Sequence, residues 1–161
     1  MMEKTAYFDG HWGEGWPELT YIESRIIDAA GRAMYFERGQ DGGSFFIEGP
    51  RGADNMMPQK GQLKTALYLH MNQDHGVKLQ YSNWDGHQLV TYHSKGDLGR
   101  LDEFARSFHD TPLSLGLFVT FDMGCRAVKE FIETDGALPK SIEWVANSDL
   151  PPGTFPPPEI I

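Results

Sequence analysis

Cysteine is almost absent from this chain, since Cys125 is the only one among 161 residues. A single cysteine excludes an internal disulfide and any zinc cluster built from several thiolates. It also excludes the signature of zinc deaminases, which combines H-x-E with P-C-x-x-C. Because Cys125 falls within a predicted helix and has no local base beside it, we expect a small buried side chain rather than a nucleophile.

Long apolar runs are also absent. No stretch of the sequence approaches the roughly 18–20 apolar residues that a membrane span requires. The opening residues include Glu3 and Lys4 where a secretory signal would have an apolar segment. We therefore expect a cytoplasmic protein that does not associate with a membrane.

The usual motifs of catalysis and metal binding are missing. The sequence has no H-E-x-x-H, no C-x-x-C, no P-loop and no G-x-S-x-G elbow. Its six histidines are dispersed along the chain. Ser94 and Lys95 superficially suggest a serine–lysine pair, but they precede Asp97 at a predicted strand-to-helix turn, where the acid is explained as a cap. We expect no catalytic residue, no metal site and no cofactor.

Basic residues are outnumbered. The chain has 14 Lys and Arg against 23 Asp and Glu, which gives a net charge of −9 and a pI of about 5.0. The basic residues alternate with acids instead of clustering, so no nucleic-acid interface is expected. An acidic surface attracts a basic protein partner, although many cytoplasmic proteins are acidic without one.

The clearest pattern lies between Leu115 and Val145. Alternating apolar residues predict a strand from Leu115 to Phe121, and Asp122 suits the N-cap of a following helix. Apolar residues then recur at helical spacing and define a buried face: Gly124, Ala127, Val128, Phe131 and Ile132.

The end of this helix is marked by Gly136 and Pro139. Alternation from Ile142 to Ala146 then predicts another strand. Phe131 and Trp144 lie on the apolar sides of their elements, so we expect both in the core.

Upstream, apolar spacing predicts a helix from Pro17 to Ala30, ended by Gly31. Two short segments, 32–38 and 44–48, flank a glycine-rich turn and predict a hairpin with Asp41 at its tip. Residues 50–62 are rich in Gly, Pro and Asn and predict a long loop that contains Asp54. Such a loop is either functional or an ordinary connection.

A three-stranded meander is predicted at 63–71, 77–81 and 88–93, with a turn at 83–86 in which Trp84 is not needed for the turn itself. An apolar stripe predicts a helix capped by Asp97 and reaching Phe108. Together these elements predict one α+β domain, with a largely antiparallel sheet of about five to seven strands and two to three helices on one face. The predicted domain spans 1–148, and 149–161 is a proline-rich tail.

Several of these segments together resemble the Imm1 family, the immunity proteins of bacterial polymorphic toxin systems. The resemblance rests on an aromatic–acidic helix start, A-V-K-E-F at 127–131, D-G-A-L-P at 135–139 and S-I-E-W at 141–144. It extends upstream through 94–98 and 116–118, and covers about 76–155. The family implies an α+β fold, no catalysis and a toxin partner that often is a deaminase acting on nucleic acid.

The shared residues are core and turn residues, so the resemblance assigns no contact residue. Local reasoning selects Trp84 and Asp85, on a turn predicted to be exposed, as the first toxin-binding candidates, followed by Asp54 and Asp41. Two other classes of function stay open: a small hydrolase or transferase, and a module that binds a small molecule beside the sheet.

Overall fold

The computed structural model describes residues 3–51 and 62–157. In this part of the chain the α-helices are α1 (Leu19–Ile26), α2 (Ala29–Glu37) and α3 (Phe121–Glu133). The strands are β1 (Glu3–Phe8), β2 (His11–Glu14), β3 (Gly42–Arg51), β4 (Gln62–Asn72), β5 (Gly76–Trp84), β6 (Leu89–Ser94), β7 (Phe104–Arg106), β8 (Pro112–Ser114), β9 (Phe118–Val119) and β10 (Trp144–Ala146).

Eight of these strands form one antiparallel sheet in the order β10-β6-β5-β4-β3-β1-β2, with β9 paired to β5. The remaining two, β7 and β8, pair with each other. The predicted α+β class is confirmed. The main sheet has one strand more than the upper end of the predicted range, because the two-residue β9 pairs with β5 outside the linear strand order.

One face of the sheet carries the core. Successive side chains of a strand point to opposite faces, and the register places Ala6, Phe45, Leu67 and Tyr81 in one buried row. Ile22 and Ile26 of α1 and Val128 and Phe131 of α3 belong to the same core cluster. The helices therefore cover this face, as an antiparallel sheet with one buried side requires.

Helix α3 lies close against β5 because position 124 has no side chain. A Cβ built there would lie 2.7 Å from Val77 Cβ and 2.9 Å from both Val77 methyl carbons. The helix starts two residues earlier than predicted. Thr120, not Asp122, is the N-cap, and its Oγ1 accepts the Met123 N–H at 3.1 Å.

The prediction of one helix from Pro17 to Ala30 followed by a hairpin was wrong. The chain turns at Ile27 and Asp28 and starts α2, whose first turn is capped by the Asp28 carboxylate on Gly31 N at 2.8 Å. Gly31 does not end a helix. It lies where α2 meets α1, and a Cβ there would overlap Ser24 O. Segment 32–38 is therefore helical, and β3 pairs with β1 and β4 instead.

The predicted helix from Asp97 to Phe108 was also wrong. Asp97 does cap, but only a single 3₁₀ turn, by accepting the Gly99 N–H at 3.0 Å. The chain then forms the β7–β8 hairpin, whose turn is held by Ser107 Oγ accepting from His109 N and Thr111 N. The apolar spacing was misleading, since Phe108 is 53% exposed.

The predicted strand from Leu115 to Phe121 is mostly a different structure. Residues 115–117 form a 3₁₀ turn, and only Phe118 and Val119 pair with β5. The meander is confirmed as β4, β5 and β6, and the last strand as β10. Phe131 is fully buried, and Trp144 packs partly buried against the core while its Nε1 donates to Pro139 O at 2.7 Å.

Phe131→Ala should lower the free energy of unfolding by about 3–5 kcal/mol, because it empties a fully buried aromatic site. Met123→Ala, on the 37% exposed side of the same helix, should change it by no more than about 0.5 kcal/mol. Urea denaturation followed by circular dichroism measures both. A loss below about 1 kcal/mol for Phe131→Ala would mean that the site collapses without a cavity.

Gly124→Ala should destabilise the protein by about 1–2 kcal/mol, since overpacking against Val77 outweighs the higher helix propensity of alanine. Adding Val77→Ala removes the two methyl carbons that the new Cβ would meet. The double variant should therefore lose less than the sum of the single losses. Strictly additive losses in urea melts would contradict this account of the α3–β5 contact.

Candidate functional site

The face of the sheet opposite the helices carries a continuous set of side chains. We call it the open face, and the side chains that the strand registers place on it include Tyr7, Trp12, Ser44, Phe46, Glu48, Lys64, Ala66, Tyr68, His70, Lys78, Gln80, Ser82, Trp84, Leu89, Thr91 and His93. Several large apolar members are exposed, among them Trp12 at 70% and Leu89 at 60%. Exposed apolar area of this kind marks interaction surfaces.

Four aromatic rings of the open face form a row across β2, β1, β3 and β4. The ring centroids are 5.4 Å apart for Trp12 and Tyr7, 6.2 Å for Tyr7 and Phe46, and 5.6 Å for Phe46 and Tyr68. Every step is edge-to-face, which is a favoured aromatic arrangement. The aromatic row is therefore a pre-ordered apolar surface whose rings hold one another in place.

A groove of about 580 Å³ adjoins this row on strands β4, β5 and β6. Trp84 and Leu89 lie opposite each other across the β5–β6 pair and line one end, beside Lys64 of β4. Tyr68 belongs to both the aromatic row and the groove. The two features thus form one concave, mostly apolar surface.

Trp84 ends β5 and is half-buried, so it belongs to the strand rather than to the tip of the turn. Asp85 occupies the turn and is exposed. Its Oδ1 accepts from Gln88 N at 2.8 Å and His87 N at 2.9 Å, and these backbone donors hold the pKa of the Asp85 carboxyl below its usual range. The turn therefore uses one oxygen of this carboxylate for its own structure.

The other two sequence candidates are Asp41 and Asp54. Asp41 is not on a hairpin tip, because the segment before it is helix α2. It joins α2 to β3, is 5% exposed, and its Oδ2 accepts the Phe108 N–H at 2.8 Å, which ties the β7–β8 turn to this junction. Asp54 lies outside the described residues. Trp84 and Asp85 are adjacent at one end of the sheet, and Asp41 lies towards the other end of β4.

Lys78 is a site residue that sequence reasoning missed. It lies opposite His70 on the open face and lines the groove, yet it is only 6% exposed. Its Nζ makes no hydrogen bond or ion pair within residues 3–51 and 62–157; the Phe155 ring, 5.8 Å away, is its nearest cation–π partner. Burial lowers the pKa of the Lys78 ammonium to about 8.

Two histidines flank Lys78 and are neutral near pH 7. Burial, reinforced by the Lys78 charge, lowers the pKa of His70 and lowers that of His93 to about 4. The His93 ring stacks on Phe155 at 4.8 Å, and its Nε2 shares a hydrogen bond with Asn147 Oδ1 at 2.9 Å. Lys78 is therefore the charged group at this end of the groove, while Lys64 at the other end lies 3.8 Å from Glu48.

Elsewhere in the described chain we looked for a reactive thiol, a metal site and a membrane-spanning helix. Cys125 is buried, as expected, and burial raises the pKa of its thiol to about 11. In residues 3–51 and 62–157 no three His, Cys, Asp or Glu side chains come together to hold a metal ion. Over the same residues no helix is long and apolar enough to cross a membrane.

The sheet thus carries the helices on one face and the aromatic row and groove on the other. Residues 45–146 match the family described as Immunity protein Imm1, which is more than half of the chain. The chain therefore belongs to the Imm1 family, and the resemblance seen in the sequence is confirmed. The match runs from β3 to β10 and so includes the groove. No curated protein and no solved structure matches the chain.

Lys78→Met should raise the free energy of unfolding at pH 7 by about 1–3 kcal/mol, because it removes a buried charge without a counter-ion while keeping the side-chain length. The gain should depend on pH. The folded pKa is about 8 and the unfolded value about 10.5, so the cost is complete below pH 8 and disappears as pH rises towards 10.5.

Urea melts of both proteins at pH 7 and pH 9.5 test this prediction. The difference between wild type and Lys78→Met should shrink by about 1–2 kcal/mol over that range. Taking the difference cancels groups that titrate equally in the two proteins. A difference in unfolding free energy that stays constant with pH would show that the charge of Lys78 does not destabilise the folded protein.

Proposed function

We propose that this Imm1 protein binds a cognate toxin domain through the open face and neutralises it by occluding its active site. Membership of an immunity-protein family supports the toxin as the class of partner. The observation that carries the choice of surface is the joined aromatic row and groove. On this surface exposed aromatic side chains and a concave cavity adjoin.

The open face has the composition of a binding hot spot. Interfaces draw most of their energy from a few aromatic anchors that lose water on binding. A nanomolar complex requires about −12 kcal/mol, from an interface that buries roughly 1,600 Å² in total. The row and groove together extend across the sheet from β2 to β6. We propose binding, not catalysis, as the means of inhibition.

The toxin that we propose is a deaminase or nuclease type that acts on nucleic acid. Such an enzyme needs a basic channel for its substrate, and the net charge of −9 would draw this chain towards that channel. Long-range attraction of this kind raises the association rate towards 10⁸–10⁹ M⁻¹s⁻¹ at low salt, as an order of magnitude. The place of action that we propose is the cytoplasm.

Trp84 is the proposed anchor and Asp85 the proposed rim charge. Trp84 is half-buried at the end of the groove, so a partner can complete its burial. Asp85 is exposed beside it, with only one carboxylate oxygen engaged by the turn. Asp54 and Asp41 remain toxin-binding residues predicted from the sequence alone.

The groove also favours a second candidate function, binding of a small molecule. Its volume of about 580 Å³ lies within the usual range of ligand sites. A toxin gene next to the gene for this chain would favour the immunity role. A small-molecule role would instead give saturable binding of that molecule with no protein partner.

Trp84→Ala should weaken binding to the toxin domain encoded by the adjacent gene by about 30-fold or more, mainly through faster dissociation. Asp85→Asn should mainly slow association and reduce its dependence on salt, as a rim charge does. Asparagine keeps the acceptor that the turn uses, so this substitution tests the charge alone. Surface plasmon resonance at two salt concentrations measures both rates.

Met123→Ala is the matched control, because Met123 is exposed on α3, on the helical side of the sheet. It should leave both rates unchanged. Thermal melts of each variant separate lost contact from lost folding. Normal rates in a stably folded Trp84→Ala Asp85→Asn double variant would remove this end of the groove from the interface.

A further inference from the structure

Lys78 presents a buried positive charge that the described part of the chain does not neutralise. Lys78 is only 6% exposed, and it lies beside His70 on β4 and Phe118 on β9. Among the described residues its Nζ has no ion pair or hydrogen bond, and burial is what shifts its pKa. Charged groups at such depth are normally paired, because an unpaired ion loses its hydration without replacement. A lysine in this state would be stabilised by a counter-ion that a binding partner supplies.

The Lys78 side chain can be reached along the groove. Lys78 lines the groove together with Gln80 and Tyr68, and the groove opens to solvent. Phe155, whose ring lies 5.8 Å from the Lys78 Nζ, does not line the groove and stacks on His93. An acidic group that enters along the groove would therefore meet Lys78 at its inner end.

We propose that the groove receives an aspartate or glutamate side chain of the cognate toxin domain, whose carboxylate pairs with Lys78. This inference rests on the proposed function and names the chemistry of its contact. The apolar residues that line the groove favour a carboxylate that belongs to a protein side chain over a free anion. Trp84, Leu89 and Ala66 are apolar, and Tyr68 continues the surface into the aromatic row. Such walls suit the stem of a side chain that belongs to a larger apolar interface.

The charge at this position is opposite to that of the whole molecule. The net charge of −9 attracts a basic toxin from a distance, whereas Lys78 selects one acidic residue at contact. A toxin without that residue would leave Lys78 buried and unpaired in the complex. This contact therefore rejects wrong partners as well as favouring the right one, which is how specific interfaces discriminate.

The pairing predicts a dependence of affinity on pH. Burial keeps the pKa of free Lys78 at about 8, and a bound carboxylate would raise it. Binding would then take up a proton above pH 8, so affinity falls as pH rises, by up to about tenfold per unit. His70 from β4 and His93 from β6 face Lys78 and stay neutral above pH 7. Phe118 and Phe155 do not titrate.

The test compares wild type, Lys78→Met and Lys140→Met for binding to the toxin domain encoded by the adjacent gene. Lys140 is exposed, follows α3 in the chain and does not line the groove, so it is the matched control. Lys78→Met should bind about 100-fold more weakly at pH 7.5, and Lys140→Met should bind as wild type does. The wild-type affinity should fall by about tenfold between pH 7.5 and 9.5, and the gap to Lys78→Met should narrow.

The acidic partner is found by changing each Asp and Glu of the toxin domain to Asn or Gln. One change should weaken wild type about as much as Lys78→Met does, and should add little in that variant. Thermal melts serve as the folding control, and Lys78→Gln replaces Lys78→Met if the latter fails to fold.

Each outcome decides a separate question. If wild type binds the toxin and Lys78→Met binds equally well, the carboxylate contact is wrong while the proposed function stands. If wild type does not bind the toxin, the proposed function fails and this inference fails with it. If inorganic phosphate binds free wild type at submillimolar concentration but not Lys78→Met, the groove is a site for small anions, and the proposal is overturned.

Discussion

The contact between α3 and β5 is the constraint on which the rest of the structure depends. With glycine at 124, the helix backbone comes close to Val77, near the middle of the sheet. Phe131, two turns further along the helix, then reaches Tyr81 and Trp16. Helices α1 and α3 share one core cluster on this side of the sheet. Because all the helical packing is gathered there, the opposite side is left for other uses.

That opposite side is stable although much of it is apolar. Trp12, Tyr7, Phe46 and Tyr68 contact one another edge to face, and Lys64 lies over the Phe46 ring at 5.4 Å. The rings thus lose part of their exposed area to each other before any partner arrives. A face ordered in this way loses little side-chain entropy on binding, and this lowers the cost of forming a complex.

The sequence predicted elements well where local pattern and tertiary packing agree. Strand β4 alternates cleanly, and α3 carries a complete apolar face, so both were predicted correctly. Prediction of secondary structure failed where the spacing of glycine or apolar residues fitted two different structures. Gly31 was interpreted as a helix end, but it allows α1 and α2 to meet, which depends on contacts distant from the local pattern. Phe108 completed an apparent helical stripe, although a hairpin stabilised by Ser107 formed instead.

The candidate site shows the same limit more sharply. Alternation along β5 predicts correctly that Lys78 and Gln80 share a face, because parity is a local property of a strand, although Trp84 was predicted in the turn and lies in the strand. Alternation does not predict how deeply a side chain is buried. Lys78 is buried by Phe118 and Phe155, which come from distant parts of the chain, so a residue that looks solvated in the sequence is desolvated in the fold. At Lys78, local pattern and burial disagree where the described part of the fold holds a charge without a counter-ion, and such conflicts are expected at functional positions.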